Sequence, residues 1–159
     1  MRAYGDYMMI ASVLLFGEEV ARRSRSLKSG GGRRKKAFAW MLTRPAAVHI
    51  AGICNGRDWL GVGHADELYF LFTILRQTNQ PDRELSVAIC EAFANFARSG
   101  DPGPEFGGVS WEEALEEEEA DENQKSKSTR LMALDLQAKM LASEYYAPVT
   151  AFWRDKLLI

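Results

Sequence analysis

The side chain in this 159-residue sequence best suited to chemistry is His64. It lies in the stretch Asp58 to Phe72, DWLGVGHADELYFLF, behind the small loop Gly61, Val62, Gly63 and ahead of two acids, Asp66 and Glu67. An imidazole titrates near neutrality, so one carried on an anchored loop suits general base or acid work. Glycines on both sides of Val62 let the backbone turn tightly. The apolar run Leu68, Tyr69, Phe70, Leu71, Phe72 reads as a buried helical turn that anchors the loop. For acyl transfer the imidazole also needs a nucleophile and an orienting carboxylate. The second histidine, His49, reads as a solvated loop residue. Cys54 and Cys90 form no C-x-x-C pair, which argues against a sulfur metal site and leaves free thiols or one disulfide open. Cys90 lies beside an apolar helix face and reads as a buried thiol.

The elements that must position His64 follow from periodicity. Ala37 to Thr43, AFAWMLT, is a short apolar run between a basic loop and Pro45, as in a strand buried on both faces. A strand leading to a histidine loop puts that side chain at the carboxyl edge of a sheet, where open α/β sheets hold their ligands. Helical character runs from Tyr7 to Arg23, with Tyr7, Ile10, Ala11, Leu14 and Val20 near one face. Leu68 to Gln77 reads as a helix start or turn, broken by Asn79, Gln80 and Pro81. Asp82 to Arg98 is the clearest helix, with Leu85, Ile89, Ala92, Phe93 and Phe96 at helical spacing and a sharp stop at Ser99 to Gly103. Pro104 to Gly108 reads as loop, and Arg130 to Leu136 as a short edge strand. A last helix from Tyr145 to Leu158 is interrupted early by Pro148 and has Val149, Phe152, Trp153 and Leu157 to bury. The whole chain, residues 1–159, reads as one partial domain, with a flexible loop at about 24–36 and an acidic, polar loop at about 104–128.

Four signals in order carry a family resemblance. GVGHADELYFLF, then ANFARSGDPG, then Trp111, then FWRDKLL near the end resemble the C-terminal third of type-B carboxylesterases, the group that includes cholinesterases and related adhesion proteins. GDYMM near Gly5 is similar to the segment that opens that third. Phe93 stands where the family usually has Trp. The resemblance implies an α/β fold, the C-terminal portion of an α/β-hydrolase with an incomplete sheet flanked by helices. It also implies ester hydrolysis by a Ser-Glu-His triad, a small-molecule carboxylic ester as substrate, and no metal or organic cofactor. One role carries over: His64 as the triad base. In this fold the chain order is Ser, then Asp or Glu, then His. The acids after His64, Asp66 and Glu67, therefore read as loop-fixing or solvated carboxylates. The sequence has no G-x-S-x-G; Gly108, Val109, Ser110 is followed by Trp111 and Glu112. Gly30 to Gly32 follow Ser29, so there is no HGGG oxyanion turn either. The family usually ties its C-terminal region with a disulfide, and no cysteine stands near Phe152 or in Tyr7 to Val13.

Composition fits that picture and excludes others. Hydrophobic residues make up 47% and charged residues 26%, the balance of a globular chain. A net charge of −2 gives no global pull toward nucleic acid. Arg22 to Lys36 is locally basic and Glu112 to Glu122 locally acidic, both as solvated faces or loops. No run is long enough to span a bilayer, and the first residues lack a signal-peptide pattern, although parents of this family are commonly secreted or lumenal. Three readings stay open: the C-terminal part of a serine esterase, inactive alone; a non-catalytic, neuroligin-like adhesion member that binds a protein partner; and a truncated product without a function of its own. For the last, open strand edges and core faces imply poor solubility, so a cooperative, monomeric melting transition counts against it.

Overall fold

The computed structural model of the protein describes residues 10–26, 36–46, 61–63, 65–72, 79–114, 130–141 and 147–157. These hold four helices, α1 (Ser12–Ser26), α2 (Asp66–Leu71), α3 (Gln80–Ser99) and α4 (Ala147–Leu157), and five short strands, β1 (Trp40–Leu42), β2 (Glu105–Phe106), β3 (Val109–Ser110), β4 (Leu131–Leu134) and β5 (Lys139–Leu141). The chain divides into two compact units, Met1–Ala39 with Glu112–Leu131 and Leu141–Ile159, and Trp40–Trp111 with Met132–Met140.

In the first unit α1 packs against α4. Ala11 and Leu14 are buried, as their spacing implies, but Val20 at the far end of the same face is exposed. Backbone bonds join three separated segments: Ala114 N–H donates to the Ala37 carbonyl and Arg130 N–H to the Ala114 carbonyl, both at 2.8 Å. An Arg130–Glu112 ion pair closes the same junction. Pro148 does not interrupt α4. It is the second residue of the helix, where a missing N–H costs nothing. The expectation that Phe152 is buried fails, since more than half of it is exposed; it meets Trp153 edge-on at 4.9 Å.

The second unit contains a sheet of order β1-β4-β5 and the hairpin β2-β3. β1 and β4 run parallel, in the register Trp40 opposite Met132, Met41 opposite Ala133 and Leu42 opposite Leu134, and Thr43 N–H extends the ladder to the Leu134 carbonyl at 3.2 Å. Parallel strands need a crossover, and α2 and α3 lie in the chain between these two. The sequence placed the 130–136 strand at an edge; it is the centre, with all four residues buried. Such a strand is continuously apolar because both faces are covered. β1 is correspondingly an outer strand among the described residues, as is β5. It is shorter than the apolar run suggested, and its Trp40 is partly exposed rather than buried on both faces. Trp40 packs edge-on against Phe93 at 5.2 Å.

The segment read as loop at Pro104 to Gly108 forms a hairpin instead. Gly107 and Gly108 take φ of 56° and 78°, so this two-residue turn has positive φ at both central positions, which glycine alone adopts freely. A Cβ on Gly107 would sit 3.0 Å from the Cβ of Ala138.

α3 begins two residues before the expected start. Asn79 is its N-cap, and its Oδ1 accepts the Asp82 N–H at 2.9 Å. Pro81 lies in the first turn, so it starts this helix rather than only ending the one before. Gly100, at φ 75°, ends it by donating its N–H to the Phe96 carbonyl at 2.7 Å. Leu85, Ile89 and Ala92 form the buried stripe, while Phe96, expected to join it, is exposed.

The burial contrast makes a stability prediction. Met132→Ala, at a fully buried site in the central strand, is expected to cost about 2–5 kcal/mol. Phe152→Ala should stay within about 0.5 kcal/mol of the parent chain. Denaturant midpoints measured on both variants check this.

Candidate functional site

His64 itself lies outside the described residues, as do His49 and Cys54; the residues on both sides of His64 are described. Gly61 has φ of 67°, the left-handed conformation that its glycine permits at low cost. Gly63 does not share it. The second left-handed residue is Ala65, at φ 71° and ψ 6°. Those values lie in the left-handed region, which Gly and Asn adopt most readily. An Ala there carries roughly 1–2 kcal/mol of strain, so the surroundings must impose it.

Asp66 supplies part of that constraint. Its carboxylate accepts the Gly63 N–H at 2.7 Å, and its own N–H donates to the Gly63 carbonyl at 3.3 Å. Only 1% of Asp66 is exposed. It is thus the loop-fixing carboxylate that the sequence suggested. Glu67, next to it, is half-buried.

The apolar run after the loop forms the six-residue α2. Tyr69 and Phe70 are buried, whereas Leu68 is partly exposed and Phe72 largely so. The buried turn is therefore narrower than the five apolar residues implied. A helix this short cannot stand alone, because nucleation costs more than its few hydrogen bonds return. It rests on α3. The Ser86 hydroxyl donates to the Phe70 carbonyl, and the Cys90 thiol lies 3.7 Å from the same oxygen and 3.5 Å from the Leu71 carbonyl. Ser86 and Cys90 are one helical turn apart, so one face of α3 satisfies carbonyls at the C-terminal end of α2. Cys90 is a free thiol in this half-buried position, and Cys54 lies outside the described residues.

A second polar cluster lies at the start of α3. The buried Asp82 accepts from Arg44 Nε at 2.7 Å and, at 3.4 Å, from the amide of its N-cap Asn79. Arg44 follows β1 by two residues, so this ion pair ties the strand end to the helix start. The guanidinium leaves a carboxylate charge near the helix N-terminus balanced from two sides. The Tyr69 hydroxyl is buried and has no hydrogen-bond partner among the described residues. Burial, and then the Asp82 charge, raise its pKa above the ordinary 10.0. Among the described residues no group of three or more His, Cys, Asp and Glu could hold a metal ion, and no helix is long and apolar enough to cross a membrane.

The sequence signal for α2 and its loop was visible in the glycines and the apolar run. The contribution of Ser86 was missed. Its small polar side chain one residue from the Leu85 stripe was the available sign. The raised Tyr69 pKa has a sign that can be measured. Folding favours the neutral phenol, so its contribution is complete below pH 10 and is lost as the pH rises through the folded-state value. Tyr69→Phe is expected to weaken the fall in stability above pH 10, and to leave stability near neutrality unchanged or slightly higher. Denaturant unfolding of both proteins from pH 8 to 11 checks this, counted as a difference between the two curves.

Residues 1–153 match the carboxylesterase family. The chain is 31% identical over 102 residues to acetylcholinesterase of Leptinotarsa decemlineata, covering 62% of this chain and 14% of that protein. It is 31% identical over 111 residues to acetylcholinesterase of Gallus gallus, covering 67% of this chain and 12% of that protein. Over 103 residues it is 30% identical to acetylcholinesterase of Bungarus fasciatus, covering 62% and 14%. The chain thus spans about one-seventh of the length of these relatives or less. With the match running through the histidine loop, both helices behind it and the sheet, the chain belongs to the carboxylesterase family.

Proposed function

We propose that this chain is the C-terminal portion of an α/β-hydrolase domain that carries the general base of a serine carboxylic-ester hydrolase. The supporting observation is the held loop: family membership gives the chemistry, and Asp66 and α2 give the residues around His64 a fixed frame. In this reading His64 takes the proton from a serine hydroxyl as that oxygen attacks the ester carbonyl. It then returns the proton to the leaving alcohol. The serine, the orienting acid and the oxyanion donors come from polypeptide outside these 159 residues, since the sequence contains no G-x-S-x-G and no oxyanion glycine turn. The substrate class is a small-molecule carboxylic ester. Its acyl and alcohol pockets are shaped by that other polypeptide. No metal or organic cofactor takes part in this chemistry.

Two assays test the proposal. The 159-residue chain alone is expected to hydrolyse no p-nitrophenyl ester. Turnover that disappears in His64→Ala would reveal a nucleophile within the chain and contradict this account. In the protein that joins this segment to its serine, His64→Ala should lower kcat by roughly 10⁴-fold or more with a small change in KM. Turnover that survives the change would remove His64 from the triad.

A further inference from the structure

We propose that the outer face of α1 is the surface on which the serine-bearing part of the hydrolase packs, an inference that rests on reading this chain as a portion of a longer hydrolase domain. Three large apolar side chains of α1 are open to solvent: Val13 is 59% exposed, Phe16 71% and Val20 39%. Spacings of three and four residues put them in one stripe along the helix. Val20, which the sequence reading grouped with Leu14, belongs to this stripe. At 3.6 residues per turn the stripe faces away from Leu14, which is buried. α1 thus carries apolar residues on two sides, and within its own unit it packs against α4.

The occupant follows from the character of the face and from the size of the relatives. A helix covered on one side only presents polar residues to water on the other. An apolar stripe along the middle of the outer side marks a second contact. The family match covers residues 1–153, so α1 is a part of the carboxylesterase domain and not an appendage to it. The matched stretches make up only 12–14% of the length of the three acetylcholinesterases. A domain buries its helices around a contiguous apolar core. In a protein of that length, most side chains available to build such a core lie in polypeptide outside these 159 residues. Val13, Phe16 and Val20 offer no hydrogen-bonding side-chain group, so what meets them is an apolar helix or sheet face. Phe16, the largest and most exposed of the three, is the anchor of that contact.

Hydroxyl-radical footprinting tests the proposal, with Phe16 as reporter, in the 159-residue chain and in the protein that joins this segment to its serine. Phe16 is expected to oxidise readily in the 159-residue chain and severalfold more slowly in the longer protein, while the buried Phe70 stays protected in both. Equal rates at Phe16 overturn the proposal. Phe16→Gln gives an independent readout. It should leave the melting temperature of the 159-residue chain within about 2 °C of the parent. In the longer protein it should lower the melting temperature by at least about 3 °C. An equal fall in both proteins, or none in the longer one, contradicts the account. Should the longer Phe16→Gln protein fail to fold, Val13→Thr decides in the same way, by a fall in the longer protein only. Sedimentation of the 159-residue chain separates the remaining occupant: a dimer that Phe16→Gln dissociates gives the stripe to a second copy and overturns the proposal. The general-base reading fails separately, when turnover of the longer protein survives His64→Ala while Phe16 is still protected there.

Discussion

The six residues of α2 form too short a helix to persist on their own propensity, and the histidine loop is continuous with it. Everything said about that loop depends on the seat that α3 provides. Two kinds of interaction make the seat. Burial of Phe70 contributes on the order of 2–3 kcal/mol, and the Tyr69 ring adds apolar contact offset in part by its buried hydroxyl. Ser86 and Cys90 then meet the Phe70 and Leu71 carbonyls that the end of a short helix leaves without an intrahelical donor. Apolar contact alone would allow α2 to slide or rotate on α3. Directed bonds from residues one turn apart fix its register.

The order continues outward from that seat. α3 is long and capped at both ends, by Asn79 and by Gly100, and so can serve as the rigid member of the pair. Its first turn is tied through Asp82 to Arg44, just beyond β1, and β1 is paired in parallel with the fully buried β4. A chain of contacts thus links the central strand, the outer strand, the start of α3, the seat of α2 and the turn at Gly63. This is the order that the proposed general-base role of the loop calls for. The reacting side chain belongs on a loop, and the loop belongs on elements with little freedom of their own.

Much of this was legible in the residues, for identifiable reasons. The turn at Gly61, the short helix behind it and the long helix ending at Ser99 were written in glycines, an apolar run and a 3.6-residue stripe. Asp66 could be read as fixing the loop because an acid after the histidine is out of order for a triad. Other features were not legible. An all-apolar tetrapeptide, LMAL, fits an edge or a centre equally well until its neighbours are known, and β4 proved central. Phe96 and Phe152 lie on helical faces whose exposure depends on what packs there, and no periodicity states that. The Gly107–Gly108 hairpin was readable in principle, as two glycines flanked by Phe106 and Val109, but the prolines before it favoured a loop. The left-handed Ala65 was hidden altogether, because it depends on the Asp66 bonds and not on the preference of alanine.

Amide hydrogen exchange resolved to short peptides, on the parent chain and on Ser86→Ala, measures the seat most directly. The account predicts that residues 66–72 exchange slowly in the parent, in the same class as residues 80–99. In Ser86→Ala, exchange across 66–72 should speed up while 80–99 stays protected. Exchange across 66–72 at the rate of a free peptide in the parent chain, beside a protected 80–99, would contradict it.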